Sequence, residues 1–299
     1  MSLYRIREFP ESNYRAIYYK GKTLRIALNP DKPITELQYP EFYDIKITNK
    51  CNSGCWYCYQ NSTENADHYN CATLLHTWLS SMSMNQKPFQ IAVGGGEPTL
   101  HPDFSTIMNT IRTENVSPTY TTNGMFIQES NGKEILESTK EYCEGVAVTC
   151  HPHLHTIWTP AVKAFIHLGI FTSLHILIHN YDSIRYFSDI FYEYKDIVNY
   201  FVLLPMVASG RATDKFIPSP YTMCTDLNKC IKGLLYGTND RYKSKLAFGA
   251  KFYPYMEYFD NLDVSLYEPE IMSKYIDMKT WYVYRSSFDT NHPIYKYMQ

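Results

Sequence analysis

Between residues 43 and 204 the chain alternates six short strand-like runs with five helical stretches, each pair joined by a loop. The strand-like runs cover residues 43–48, 89–93, 118–122, 145–150, 171–179 and 200–204. Helical stretches at 71–84, from His101 through Arg112, and at 133–142, 160–168 and 184–194 separate them. Such alternation predicts a parallel sheet, because parallel neighbours need a crossover long enough to hold a helix. A closed eight-unit barrel takes about 250 residues, so six units in about 170 predict an open one. The fold expected is therefore α/β, a partial (β/α)6 TIM-like barrel. Polar residues agree with an interior that is not dry. Ser173, His175 and His179 share one face of the fifth strand, and Thr149 and His151 lie together at the end of the fourth.

The flanks are less regular. Residues 14–19 and 23–28, around Lys20-Gly21-Lys22, predict a β-hairpin within an N-terminal extension over 1–40. The core is expected over 41–212. After Pro205 the pattern weakens to a helix at 224–235 and an aromatic-rich tail with strand-like runs such as 281–284. We expect residues 213–299 to form a C-terminal segment covering the barrel opening.

Directly after the first strand stand Cys51, Cys55 and Cys58, spaced C-x3-C-x2-C. Gly54, with Asn52 and Ser53, tolerates the turn dihedrals that wrap such a stretch around one centre. A cubane iron–sulfur cluster takes thiolates and has four irons to ligate, so three cysteines leave one iron open for chemistry. Zinc is the alternative, closed by a fourth ligand from His68 or Cys71.

Cys-Asn-Ser-Gly-Cys-Trp-Tyr-Cys, with an aromatic just before its third cysteine, resembles the signature loop of the radical S-adenosylmethionine (SAM) enzymes. One strand–helix unit later, Gly94-Gly95-Gly96-Glu97-Pro98 ends the second strand and is similar to the Gly-Gly-Glu-Pro motif of that superfamily. The resemblance implies a [4Fe-4S] cluster on Cys51, Cys55 and Cys58, with SAM on its open iron. It implies that Gly95, Gly96 and Glu97 seat the SAM amino group, where an unpaired carboxylate would suit a cation. Thr121-Thr122-Asn123-Gly124 resembles a Thr-Asn-Gly segment near the SAM ribose. Thr149 matches a hydroxyl that contacts SAM, or else a strand hydroxyl bonded locally. Tyr57 matches the aromatic that meets the adenine. His175 and Arg211 are candidates for the SAM carboxylate, Arg211 through its two-pronged guanidinium.

His151-Pro152-His153-Leu154-His155 follows the fourth strand. We read it as a loop at the barrel mouth rather than a second metal site, since no carboxylates or cysteines cluster with it. His151, His153 and His179 are expected to face substrate. Cys71, Cys143, Cys150, Cys224 and Cys230 do not make the cysteine-rich C-terminal pattern of the multi-cluster relatives, so one cluster is expected. The 28 tyrosines suit half-buried packing positions.

A net charge of −2 gives no basic surface for nucleic acid. The sequence has no membrane-length apolar run and no signal-peptide core, and cysteines kept for metal suit a reducing, cytoplasmic setting. The resemblance implies an electron donor such as flavodoxin or ferredoxin. It leans towards a peptide or protein side chain as substrate. A nucleotide or small metabolite, as in the viperin-like branch, is the alternative, and a non-catalytic zinc-binding module is the alternative from another class.

Overall fold

The computed structural model describes residues 4–212, 220–238, 241–249 and 269–297, together with Phe252 and Met256. The chain opens with β1 (Arg5–Phe9), β2 (Tyr14–Tyr19) and β3 (Lys22–Ala27), an antiparallel sheet in that order. The expected hairpin is β2 and β3, and β1 is an addition to it. Arg-Ile-Arg-Glu-Phe reads as a solvated stretch, yet Arg7 is only 1% exposed. Its guanidinium donates to the carbonyls of Asn85 (2.9 Å), Pro40 (2.9 Å) and Tyr39 (2.6 Å), so each nitrogen of the buried cation has an acceptor.

The main body runs β4 (Phe42–Thr48), α1 (Ala72–Ser80), β5 (Gln90–Gly95), α2 (Phe104–Thr113), β6 (Ser117–Thr122) and α3 (Gly132–Tyr142). It continues through β7 (Gly145–Thr149), α4 (His155–His167), β8 (Thr172–Ile178), α5 (Tyr181–Tyr194) and β9 (Tyr200–Pro205). All six expected strands are present, and neighbours pair in parallel. The fold is the open α/β barrel architecture read from the alternation.

Past Pro205 the alternation persists further than the sequence suggested. Helix α6 (Pro220–Leu235) leads to β10 (Leu246–Phe248), which pairs parallel to β9. Then α7 (Pro269–Met272) leads to β11 (Ser273–Asp277), which crosses to the opposite edge and pairs parallel to β4. Strands β12 (Tyr282–Tyr284) and β13 (Tyr295–Lys296) extend that edge antiparallel. The full order is β10-β9-β8-β7-β6-β5-β4-β11-β12-β13. A three-residue strand such as β10 has too few positions to show a period, which is why it escaped the sequence.

Helix α4 begins five residues before the expected start at Pro160. Proline favours the first helical position, but here it lies inside the helix. Its cost is offset by the buried face of Trp158, Ala161, Val162 and Phe165.

Strand alternation sorts the two faces. On β8, Thr172, Leu174, Ile176 and Ile178 are buried, while Ser173, His175 and Leu177 are half-buried. The buried set joins Ile45, Ile91, Val93 and Val148 in the core with Leu75, Ile107, Phe165 and Phe187 of the helices. The other set faces the barrel interior, with Asp44, Gly94, Thr121 and Thr149 in register on neighbouring strands.

Candidate active site

The cysteines lie on a loop that leaves the C-terminal end of β4, where open α/β sheets bind ligands. Residues 63–69 return alongside and pin it. Asn49 N donates to Asp67 O (3.1 Å), Cys51 N to Thr63 O (2.9 Å) and Tyr69 N to Ile47 O (3.0 Å). Gly54 adopts φ +62°, the left-handed turn between the first two cysteines. All three thiols are half-buried and free. Burial pushes the Cys55 thiol up to about 11, and the charges of Cys51 and Cys58 add to the push.

Among the described residues no three His, Cys, Asp or Glu side chains converge on the space of a single metal ion. The zinc alternative needs that convergence. Its candidate fourth ligands are engaged elsewhere: His68 Nδ1 sits 3.0 Å from Thr48 Oγ1, and Cys71 is buried in the core before α1. A cubane instead takes one thiolate per iron, on ligands spread around it. Three half-buried thiols on a loop pinned at both ends fit that group.

Gly94-Gly95-Gly96-Glu97-Pro98 lies edge to edge with this loop. Gly96 N donates to Thr48 O (2.9 Å) and Glu97 N to Lys50 O (2.8 Å). A Cβ on Gly95 would come within 2.2 Å of Thr48 O, and one on Gly96 within 2.0 Å of Lys50 O. The sequence reading gave these glycines to the approach of a ligand. In the structure they first permit the approach of the cysteine-loop backbone.

Glu97 also differs from the expectation of an unpaired carboxylate. It is 2% exposed, and its Oε1 accepts from Thr99 N (3.2 Å), Thr99 Oγ1 (2.6 Å) and Thr122 Oγ1 (2.8 Å). Its Oε2 accepts from Asn123 N (2.7 Å), which leaves room there for one further donor. Burial raises its pKa even though these four bonds favour the charged form. Asn123 Nδ2 in turn donates to Asn52 Oδ1 (2.8 Å) and Ser53 Oγ (2.6 Å) on the cysteine loop. Glu97 and Asn123 thus tie three motifs into one rigid edge. The sequence reading missed Asn52, Ser53, Thr99 and Thr122 as its partners.

Arg211 lies beneath the same loop. Gly210 (φ +61°) passes so close that a Cβ would meet Cys58 O and Tyr59 O at 2.4 Å. Arg211 Nε donates to Cys55 O (2.9 Å), Nη1 to Ser62 O (2.8 Å), and its backbone N to Cys58 O (2.9 Å). Two of the donors assigned to a carboxylate therefore hold the loop.

The histidines divide. His151 is buried, with Tyr57 Oη 2.7 Å from its Nδ1 and Cys55 Sγ 3.9 Å from both ring nitrogens. Burial, helped by His153, pushes His151 down to about 4, so its ring is neutral. His153 is exposed, and His155 turns away to Trp158 and Tyr186. His179, at the end of β8, stands 5.7 Å from the Trp56 ring and 6.3 Å from Tyr57, and its buried Nδ1 has no partner among the described residues. Thr149 and His175 are cross-strand neighbours facing the interior. Burial pushes His175 down to about 4. The structure thus brings Cys55, Tyr57, His151 and His179 together, with exposed His153 at the rim, its ring 5.7 Å from that of His151, and His155 turned away.

Residues 45–157 match the family model described as the radical SAM superfamily. Among solved structures, Streptococcus suis SuiB bound to precursor peptide SuiA superposes with a TM-score of 0.65 at 15% identity, over 84% of this chain and 60% of that one. The structure titled native anSMEcpe with bound AdoMet gives a TM-score of 0.59 at 14% identity, over 83% of this chain and 76% of that one. At such identities the likeness is one of fold, and this chain spans about 60% of the length of SuiB. A search of the curated proteins finds no match. No described helix is long and apolar enough to cross a membrane. Members of the superfamily use a [4Fe-4S] cluster and SAM. The cysteine loop, the glycine turn and the Thr-Asn-Gly turn all fall inside the residues that match the radical SAM family model.

Proposed function

We propose that the chain is a radical SAM enzyme that abstracts a hydrogen atom from a peptide or protein side chain held in its barrel. One observation carries the reading: the cysteine loop and the Gly94–Pro98 turn are fastened into a single edge at the C-terminal ends of β4 and β5. Cys51, Cys55 and Cys58 would hold a [4Fe-4S] cluster, and SAM would lie along the glycine edge. When bound, that pair supplies a 5′-deoxyadenosyl radical after transfer of one electron from a donor such as flavodoxin or ferredoxin.

The chain's own part is to bind, orient and exclude water. Gly95, Gly96 and the open Oε2 site of Glu97 receive the SAM amino group. Asn123 keeps that edge square to the loop, and Arg211 sets the loop's height. Tyr57, ordered by its hydrogen bond to neutral His151, lies against the adenine. Thr149 and His175 line the approach from the interior, and His151 and His179 face substrate; His153, exposed, would meet only the outer part of a long one. The C-terminal segment closes the mouth, a reading supported by Phe288, whose ring lies 4.7 Å from that of Tyr59. Peptide is favoured because SuiB and anSMEcpe are described with bound peptides.

Anaerobic reconstitution tests the reading. About four irons and four sulfides per chain, with 5′-deoxyadenosine released from SAM and reductant, are expected. Stoichiometric zinc without iron would overturn it. Peptide and nucleotide pools, followed by mass, then separate the two substrate classes.

A further inference from the structure

Below the ligand edge, the inward face of β4 carries Asp44. Its ladder neighbours are Tyr275 on β11 and Ala92 on β5. The side chain is half-buried, with no hydrogen bond or ion pair among the described residues, and desolvation is the only influence on its proton. Lys46, two residues on and on the same face, does not serve as its partner; it is drawn to Asp277, its own ladder neighbour. Gly94 leaves one flank of the carboxylate open, since a Cβ there would lie 3.6 Å from Asp44 Oδ1. The phenols of Tyr59 and Tyr275 stand within its field. Gln60 donates to the Tyr59 hydroxyl at 2.8 Å with its amide nitrogen, and its amide oxygen is buried with no partner among the described residues.

A half-buried carboxylate with no partner among the described residues is costly, and so is an orphaned amide end. Both costs vanish if a group rich in N–H donors enters between them. We propose that Asp44 anchors a cationic nitrogen group, an ammonium or guanidinium, carried on the substrate's side chain, with the free amide end of Gln60 as a second contact. This rests on the reading of the barrel as the substrate chamber, and it narrows the substrate to a peptide bearing a basic residue near the reacting one. Burial pushes the Asp44 carboxyl up to about 7. Its tyrosine neighbours titrate far above that, so a bound cation would gain affinity as pH rises to about 7 and then level off.

The test uses the reconstituted full chain and three probes: N-acetyl-arginine amide, N-acetyl-lysine amide and N-acetyl-glutamate amide. The basic probes are expected to raise the melting temperature saturably, and the acidic probe to leave it unchanged. Asp44→Asn should weaken the basic probes by about tenfold or more, the value of one charged hydrogen bond. It should also abolish their pH dependence. The SAM-induced change in the cluster's electron paramagnetic resonance signal should be the same in Asp44→Asn as in the native chain. Absence of that signal from the native chain would sink the radical SAM reading itself. Its presence, with basic probes that fail to bind or that bind Asp44→Asn equally, would overturn the anchor alone. Should Asp44→Asn lose the cluster, Asp44→Glu replaces it. Moving the carboxylate one methylene further must change the ratio of lysine to arginine probe affinity, and an unchanged ratio would overturn the proposal.

Discussion

Gly96→Ala isolates the contact on which the site is built. Gly96 lies outside the left-handed region, so alanine costs nothing in backbone conformation and the whole effect is steric. The new methyl would begin 2.0 Å from Lys50 O, against backbone rather than a side chain that could swing away. Relief needs a separation of about 1 Å, which stretches the bonds Gly96 N to Thr48 O (2.9 Å) and Glu97 N to Lys50 O (2.8 Å) past useful length. Each buried bond left unmade costs about 1–3 kcal/mol, so the variant should lose roughly 3–5 kcal/mol. That is a large part of a domain's stability of about 5–15 kcal/mol. Urea unfolding reads the loss, and iron content after anaerobic reconstitution reads the displaced cysteine loop. A variant within about 0.5 kcal/mol of the parent that also takes up iron normally would refute the argument.

Other consequences follow from single groups. Glu97→Gln replaces an oxygen with an NH2 facing donors from Thr99, Thr122 or Asn123, and should cost about 2–4 kcal/mol and weaken SAM binding, read by calorimetry. Arg211→Ala frees the Cys55 and Ser62 carbonyls, and should lower cluster retention on dilution more than it lowers the melting temperature. Arg7→Met leaves three carbonyls without their donor and should destabilise the chain by about 3 kcal/mol while the iron content per folded chain stays unchanged. For Asp44 the sign is set by a folded-state pKa near 7, above the usual 3.8. Its stabilising effect is complete below the unfolded value and is lost as pH rises through the folded one. Between about pH 5.5 and 8 the native chain should lose up to ~2 kcal/mol relative to Asp44→Asn, nearer ~1 with barrel water screening the charge. Parallel denaturant titrations at both pH values check it.

The architecture was legible because it is periodic. Six strands separated by five helices, each long enough to show its period, dictate a parallel sheet, and strand alternation put His175 and Thr149 on the inner face. The cysteine loop was legible because its spacing is local: Cys51, Cys55 and Cys58 lie within one turn-rich stretch. Residues whose roles come from distant partners were not legible. Glu97 looks like a free carboxylate in the sequence, and only folding brings Thr122 and Asn123 to it. Arg211 looks like an anion hook until the chain returns beneath Cys55. Arg7 looks like a surface charge until three carbonyls surround it.

Local order in the chain, then, settled the strands, the helices and the thiol spacing, since periodicity and turn propensity act over a few residues. Tertiary structure alone decided that β11 returns to the edge of β4, that Gly95 and Gly96 seat a backbone before any ligand, and that Asp44 has no partner among the described residues. Those outcomes depend on carbonyls and charges many residues apart, and nothing in a linear pattern records which of them meet.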